Sequence, residues 1–159
     1  ALGAEVEFVT GPASTPAPLG VNVVQVETAA EMLEAVTAAA AKPLDGAVCA
    51  AAVADWRVTN VANDKIKKDP LAASAHTPSL EFALNPDILA TVAALPNAPW
   101  CVGFAAETER LSEFAQAKRL RKGIPMLIGN LAQHVMDAEL TTVSIFDEQG
   151  EHPLPTSAK

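Results

Sequence analysis

The chain has 159 residues, half of them hydrophobic, and a formal net charge of −8, which suits one domain with a buried core. This acidity argues against nucleic acid or an anionic membrane surface as partner, although a nucleotide pocket needs only a few placed cations. No apolar run approaches the roughly 18 residues that span a bilayer, and Glu5 and Glu7 rule against a signal peptide at the start. We therefore expect a cytoplasmic protein.

The first half of the chain predicts three strands and one helix. Residues 6–10 and the β-branched residues 21–26 are typical of short strands. Thr28 and Glu31 have the spacing of a capping box, which begins a helix over the alanine-rich segment that follows. Residues 46–52 form a continuous apolar run, which predicts a strand covered on both faces.

The second half continues this alternation. Asn85 is predicted as the N-cap of a helix and Pro86 as its first residue. A further helix over residues 110–122 ends at Gly123, which is typical of a helix C-terminus. Strands that alternate with helices predict an α/β fold with a mostly parallel sheet. The strands are predicted at residues 80–84, 100–104, 125–128 and 141–146, with a C-terminal hairpin turn at 147–150.

The positions of the cysteines, histidines and glycines limit the kinds of binding site that the chain could form. Cys49 and Cys101 both lie in apolar runs, which predicts two small buried side chains rather than a disulfide. The three histidines are scattered, so no metal-ligand spacing is present and the sequence names no metal ligand. Neither of the common glycine-rich phosphate loops occurs. Any bound phosphate would therefore depend on cationic side chains.

A distinctive charge pattern follows the strand predicted at residues 46–52. Asp55 stands where that strand opens into a loop, and the same loop continues to Lys65 and two more lysines. Because ligands of open α/β sheets bind outside the carboxyl ends of strands, this pattern favours an anion site. The alternatives are a turn carboxylate and an ordinary solvated loop. Residues 67–77 are small and polar, and we expect them to be the least ordered internal stretch when no ligand is bound.

Three further positions each have a functional and a structural interpretation. Asn85 with Pro86 suits a helix cap, or a nucleotide beside a helix N-terminus. Phe104 follows a predicted strand and could pack on a planar base or belong to the core. Lys118 and Lys122 lie four residues apart on one helix face, where they could reach one anion or complement the helix dipole.

Five segments of the chain occur in the same order as in one known enzyme family. On the basis of these segments, the chain resembles the phosphopantothenate–cysteine ligases of coenzyme A biosynthesis over residues 3–154. The resemblance implies a Rossmann-like three-layer sandwich with a mostly parallel sheet, and a homodimer with active sites near its interface. The segments are AAVADW at 51–56, KIKK at 65–68, NPDI at 85–88, GFAAET at 103–108 and KRLRK at 118–122.

The resemblance also implies a reaction. CTP would activate the carboxylate of 4′-phosphopantothenate as an acyl-cytidylate with loss of pyrophosphate, and Mg²⁺ would accompany the nucleotide. The amine of cysteine would then attack and release CMP. In many bacteria such a domain follows an FMN-dependent decarboxylase in one bifunctional protein. FMN is therefore expected in a fused upstream domain and not in this chain.

Site residues follow from the same motifs. By motif match, Asp55 would contact the nucleotide, and Lys65 would be the catalytic residue that holds the triphosphate and stabilises charge during acyl transfer. The strand end at Cys49 would offer backbone groups. The other CTP-binding positions implied by the resemblance are Ala50, Ala51, Ala83, Leu84, Asn85, Pro86, Phe104, Lys118 and Lys122.

The chain departs from the family pattern mainly at its ends. A single domain over residues 1–159 is expected to lack the family's first strand, its SNxSSGxMG-type segment and its C-terminal helix, and Trp56 replaces a usual Tyr or Phe. One alternative is a non-catalytic nucleotide-binding or dimerisation module on the same fold. Another is an α/β dehydrogenase, which the missing glycine fingerprint disfavours.

Overall fold

The computed structural model describes residues 3–62, 64–66, 79–131 and 140–158. Strands and helices alternate through most of this range. The elements are β1 (Glu7–Thr10), β2 (Asn22–Gln25), α1 (Ala29–Ala40), β3 (Gly46–Cys49), β4 (Trp56–Val58), β5 (Phe82–Leu84), α2 (Ile88–Ala93), β6 (Trp100–Glu107), α3 (Leu111–Lys122), β7 (Met126–Leu131), β8 (Leu140–Thr141), β9 (Ser144–Asp147), β10 (Gly150–Pro153) and β11 (Ser157–Ala158).

The central sheet has five strands in the order β10–β9–β7–β6–β3. Strands β3, β6 and β7 are parallel, whereas β9 and β10 are antiparallel and form the predicted C-terminal hairpin. Separate pairs are formed by β1 with β2 in parallel, by β4 with β5 as an antiparallel ribbon, and by β8 with β11. The predicted α/β class with a mostly parallel sheet is confirmed.

The helices cover the sheet face to which Gly103 and Gly129 belong. A Cβ atom on Gly103 would lie 2.7 Å from Cδ2 of Leu89 in α2. A Cβ atom on Gly129 would lie 2.9 Å from Cδ1 of Leu111 in α3. Glycine at these positions therefore lets the helices approach the strands closely. The largest fully buried side chains of the described residues lie in this layer: Phe146, Leu127, Val92 and Cys101.

Local signals at two helix ends were predicted correctly. Thr28 accepts a hydrogen bond from the Glu31 amide, and the Glu31 carboxylate accepts in return from the Thr28 amide, so the capping box at the start of α1 is confirmed. Gly123 adopts a left-handed conformation with φ of 64° and ends α3 as expected. Both ends depend on residues close in sequence, which is why they could be predicted.

The predicted start of α2 is wrong by two residues. Asp87 is the N-cap, and its carboxylate accepts from the Ala90 amide at 3.0 Å. Asn85 is not the cap because its side-chain amide donates to the carbonyl oxygen of Ala54 at 2.9 Å. Pro86 consequently precedes the helix rather than beginning it.

The expectation that the strand at residues 46–52 is covered on both faces is also wrong. The strand predicted at residues 46–52 ends at Cys49, and Val48 on its second face is 69% exposed. Trp100 and Phe104 of β6 are likewise about half exposed. The reason is that β3 lies at the edge of the five-stranded sheet, and the described helices pack against one face.

Other sequence expectations have mixed outcomes. Cys49 and Cys101 are free thiols; Cys101 is buried as predicted, whereas Cys49 is only partly buried. The strand predicted at 141–146 is divided, because β8 pairs with β11 whereas β9 belongs to the central sheet. The prediction of low order at residues 67–77 lies outside the described residues. No helix in the described part of the chain is long and apolar enough to cross a bilayer.

Candidate functional site

Asn85 joins the loop after β3 to the β4–β5 ribbon. Its Nδ2 donates to the carbonyl oxygen of Ala54 at 2.9 Å, and its backbone amide donates to the carbonyl oxygen of Asp55 at 2.7 Å. Nη1 of Arg57 in turn donates to Oδ1 of Asn85 at 3.4 Å and to the carbonyl oxygen of Leu84. Two segments with predicted site residues, 50–55 and 83–86, are therefore held side by side.

Asp55 and Lys65 are both exposed, and no hydrogen bond or ion pair of the described residues joins them. Asp55 is fixed through its backbone by Asn85, which leaves its carboxylate accessible. Among the described residues, Lys65 forms no hydrogen bond or ion pair with another predicted site residue. The catalytic role of Lys65 stays a prediction.

Lys122 is held by the Asp87 carboxylate. Its Nζ donates to Oδ2 at 2.6 Å and to Oδ1 at 2.7 Å, which ties the last residue of α3 to the N-cap of α2. Partial burial would raise the pKa of Asp87, but the hydrogen bonds from Lys122 and from the Ala90 amide outweigh it and lower that pKa below its usual range. Asp87 is therefore a carboxylate at neutral pH.

The Asp87–Lys122 pair lies beside the carboxyl end of β3. Cys49, the last residue of β3, pairs with Gly103 of β6, and Leu89 of α2 packs against Gly103. Burial raises the pKa of the Cys49 thiol, and the charges of the pair reach it with opposite signs. A neutral thiol is a poor nucleophile. We therefore assign Cys49 a packing role. The end of β3 at Cys49 lies near the cationic side chain of Lys122.

Lys118 and Phe104 form no hydrogen bond or ion pair with Asp55, Asn85, Asp87 or Lys122 among the described residues. Nζ of Lys118 is 3.7 Å from Oε1 of Glu107, beside a shallow cavity of about 300 Å³ that Phe114 and Arg121 also line. The side chain of Phe104 points to the sheet face opposite Gly103, because side chains alternate along a strand. It is 43% exposed and thus remains available to stack on a planar group.

The structure therefore gathers part of the predicted site. Asn85 is hydrogen-bonded to Ala54 and Asp55, and Lys122 contacts Asp87, two residues further along the chain. Cys49, at the end of β3, is near enough to the Asp87–Lys122 pair to be influenced by both charges. The other predicted positions in these segments are Ala50, Ala51, Ala83, Leu84 and Pro86. Lys65, Lys118 and Phe104 are not joined to them by any hydrogen bond or ion pair of the described residues.

Sequence reasoning missed Asp87, Arg57 and Glu107. Asp87 could have been found, because aspartate is among the strongest N-cap residues and comes directly before the apolar run of α2. Arg57 and Glu107 left no such signal. Their partners Asn85 and Lys118 are distant in sequence, so only the fold brings each pair together.

Mg²⁺ was expected with the nucleotide. Within the residues the structure describes, no group of three or more His, Cys, Asp or Glu side chains could hold a metal ion by itself. Mg²⁺ in nucleotide sites is usually bound by one or two carboxylates together with phosphate oxygens and water. Asp55 is exposed in the loop between β3 and β4 and fits such a partial ligand set.

The fold and this strand-end cluster define an α/β protein with polar and cationic residues at the carboxyl end of a parallel strand, where such folds bind ligands. The family described as "DNA/pantothenate metabolism flavoprotein C-terminal domain" matches residues 1–159. The chain belongs to this family.

Known relatives agree with the assignment. The chain is 40% identical over 99% of its length to the coenzyme A biosynthesis bifunctional protein CoaBC of Vibrio cholerae, and 39% identical over 99% to that of Escherichia coli K12. It spans 40% and 39% of these two proteins. A crystal structure of a CoaBC C-terminal domain has a TM-score of 0.75 and 32% identity, with 97% of this chain and 66% of that one covered. The match confirms the fold.

Proposed function

We propose that the chain is the CTP-dependent phosphopantothenate–cysteine ligase part of a coenzyme A biosynthesis protein. The observation that carries this proposal is the match of the whole chain to a pantothenate-metabolism family, with relatives named for coenzyme A biosynthesis. The strand-end cluster supports it. Asn85 holds Asp55 beside the ribbon, and Lys122 supplies a cation near the end of β3.

The proposed reaction has two steps. A carboxylate oxygen of 4′-phosphopantothenate attacks the α-phosphorus of CTP, and the bond to the leaving pyrophosphate breaks. The cysteine amine then attacks the acyl carbon, loses a proton, and CMP leaves as an amide forms. The first step brings a carboxylate against a highly anionic triphosphate, so fixed cations must lower the repulsion. Lys65 is proposed for this role at the reacting phosphate.

The remaining residues would bind and orient. The exposed carboxylate of Asp55 would accept hydrogen bonds from the nucleotide, and Phe104 would pack on its base. Lys118 and Lys122 would bind phosphate oxygens. Mg²⁺ would supply further charge neutralisation at the phosphates, where Asp55 fits as one ligand.

The proposal extends to the protein around this chain. The curated relatives are bifunctional, and the chain matches about two fifths of their length. We propose a fused upstream decarboxylase domain that carries FMN, in a protein of the cytoplasm. The pathway then needs no nucleic acid or membrane partner.

Nucleotide preference tests the proposed function. We expect calorimetric titration with Mg²⁺ to show tighter binding of CTP than of ATP by the full-length protein. The reason is that the family pattern around Asp55, Phe104, Lys118 and Lys122 implies a pyrimidine nucleotide. Equal or tighter binding of ATP would refute CTP dependence, and binding of CTP without pyrophosphate release in the presence of 4′-phosphopantothenate would favour a non-catalytic nucleotide-binding module.

Homodimerisation is proposed through the β4–β5 ribbon. Trp56 lies opposite Leu84 and Val58 opposite Phe82, so these side chains share one face of the ribbon. Trp56, Phe82 and Leu84 are each about 60% exposed, with values of 58%, 59% and 63%. Contiguous exposed apolar side chains mark interaction surfaces, and a second copy of the chain is the proposed occupant.

Substitution on the ribbon tests this surface. We expect Phe82→Glu to shift the full-length protein from dimer toward monomer in sedimentation velocity, because the carboxylate would be buried between two copies without a partner. Leu19→Glu is the matched control, since Leu19 is fully exposed in a loop. A dimer that tolerates Phe82→Glu as well as Leu19→Glu would exclude the ribbon as the interface.

A further inference from the structure

A carboxylate of the same chain engages the ammonium of Lys122. Nζ lies 2.6 Å and 2.7 Å from the two oxygens of Asp87. The Lys122 side chain is 17% exposed, against 47% for Asp87, so the lysine is shielded while the carboxylate faces solvent. The Ala90 amide fixes the same carboxylate at 3.0 Å. An anion that approaches Lys122 therefore meets a fixed negative charge.

Lys118 has a similar environment. Its Nζ is 3.7 Å from Oε1 of Glu107, and the two side chains are 30% and 21% exposed. Both α3 lysines that the sequence indicated as possible anion-binding residues thus have a carboxylate partner within the chain. The Asp87 contact is shorter and involves both carboxylate oxygens, so it should have the larger influence on anion binding.

We propose that Asp87 weakens anion binding at Lys122, so that anions held there by charge alone do not stay bound. Phosphate groups then bind at Lys122 only as part of a nucleotide that other residues also hold. The inference rests on the proposed function, because it takes a nucleotide to be the ligand of this site.

The physical argument concerns two kinds of anion. Inorganic pyrophosphate gains the attraction of Lys122 but also faces repulsion from Asp87 at a partly buried position, where charges are weakly screened. A nucleotide faces the same repulsion, yet its base and ribose add contacts that do not depend on Lys122. Asp87 therefore lowers both affinities by a similar factor, but only the nucleotide has enough other contacts to stay bound. Pyrophosphate, the product of the proposed first step, would also leave more readily.

Titration with inorganic pyrophosphate tests the role of Asp87. In calorimetry on the full-length protein, Asp87→Asn should bind pyrophosphate about tenfold more tightly than the unchanged protein, a difference of about 1.4 kcal/mol. Asparagine is as good an N-cap as aspartate, so α2 should be preserved. Asp87→Ser, which also keeps a capping oxygen without charge, should show the same gain. It replaces Asp87→Asn if that variant does not fold.

Two controls separate this effect from others. Asp147→Asn also removes one negative charge from a hydrogen-bonded aspartate, but its partner is His152, so pyrophosphate affinity should stay within about twofold. Adding Lys122→Met to Asp87→Asn should abolish the gain. Folded Asp87 variants that bind pyrophosphate no more tightly would overturn the proposal, as would a gain that survives the loss of Lys122.

The proposed function and the role of Asp87 can be refuted independently of each other. A gain in pyrophosphate affinity that depends on Lys122, in a protein that does not bind CTP, would support the role of Asp87 and refute the nucleotide proposal. CTP binding without any gain in the Asp87 variants would refute the role of Asp87 alone.

Discussion

Lys65→Gln in the full-length protein is expected to slow acyl-cytidylate formation by about 100-fold. A fixed cation that neutralises charge developing at a reacting phosphate is worth about 3 kcal/mol of transition-state stabilisation, which corresponds to about two orders of magnitude in rate. Glutamine keeps much of the side-chain length but removes the charge. Lys65 is exposed, so its substitution should change the free energy of unfolding by less than about 0.5 kcal/mol.

The rate is measured as pyrophosphate release with CTP and 4′-phosphopantothenate at saturation. Lys42→Gln is the matched control: Lys42 has a 67% exposed side chain and pairs with Glu7, away from the strand-end cluster. This control should react at the rate of the unchanged protein. A Lys65→Gln rate within a few-fold of the control would mean that the lysines after residue 64 form only a charged loop.

Features that depend on neighbouring residues could be predicted from the sequence. The capping box of Thr28 and Glu31 and the left-handed Gly123 each use residues within one helical turn, and both are confirmed. The alternation of strands and helices likewise led to the correct fold class. Local chemistry restricts each of these features almost completely, so the rest of the chain had little influence on them.

Features that depend on distant residues could not be predicted. Asn85 has the sequence context of an N-cap, yet a carbonyl group 31 residues earlier engages its side chain, and Asp87 caps the helix instead. The strand β4 has three residues and depends on pairing with β5. A segment this short has no detectable periodicity of its own.

The candidate site could likewise be predicted only in part. The resemblance to a family indicated the site residues, and the structure joins Asp55 to Asn85 and Lys122 to Asp87, two residues after Asn85. The resemblance did not indicate that each of the two lysines of α3, Lys118 and Lys122, pairs with a carboxylate of the chain. Asp87 and Lys122, for example, are 35 residues apart in sequence. These carboxylates change the expected chemistry: the site is balanced in charge rather than simply basic.

The strand–helix layer that supports this site should depend strongly on Phe146. We expect Phe146→Ala to lower the free energy of unfolding by about 4 kcal/mol, within the usual range for removing a buried phenylalanine. Phe146 is 1% exposed in β9, where it belongs to the same buried cluster as Leu127 and Ala115. Its Cε2 lies 3.0 Å from where a Cβ on Gly129 would be, so the ring fills the space that glycine leaves.

Urea denaturation measures this change, with Phe114→Ala as the matched control. Phe114 is 37% exposed on α3, and its ring lies 5.3 Å below the guanidinium of Arg110. Removing this ring loses partial burial and a surface cation–π contact, so the control should cost about 1 kcal/mol. Similar losses for the two variants would mean that the central sheet can close around the missing Phe146 ring, and that the close contact with Gly129 contributes little to holding α3 on the sheet.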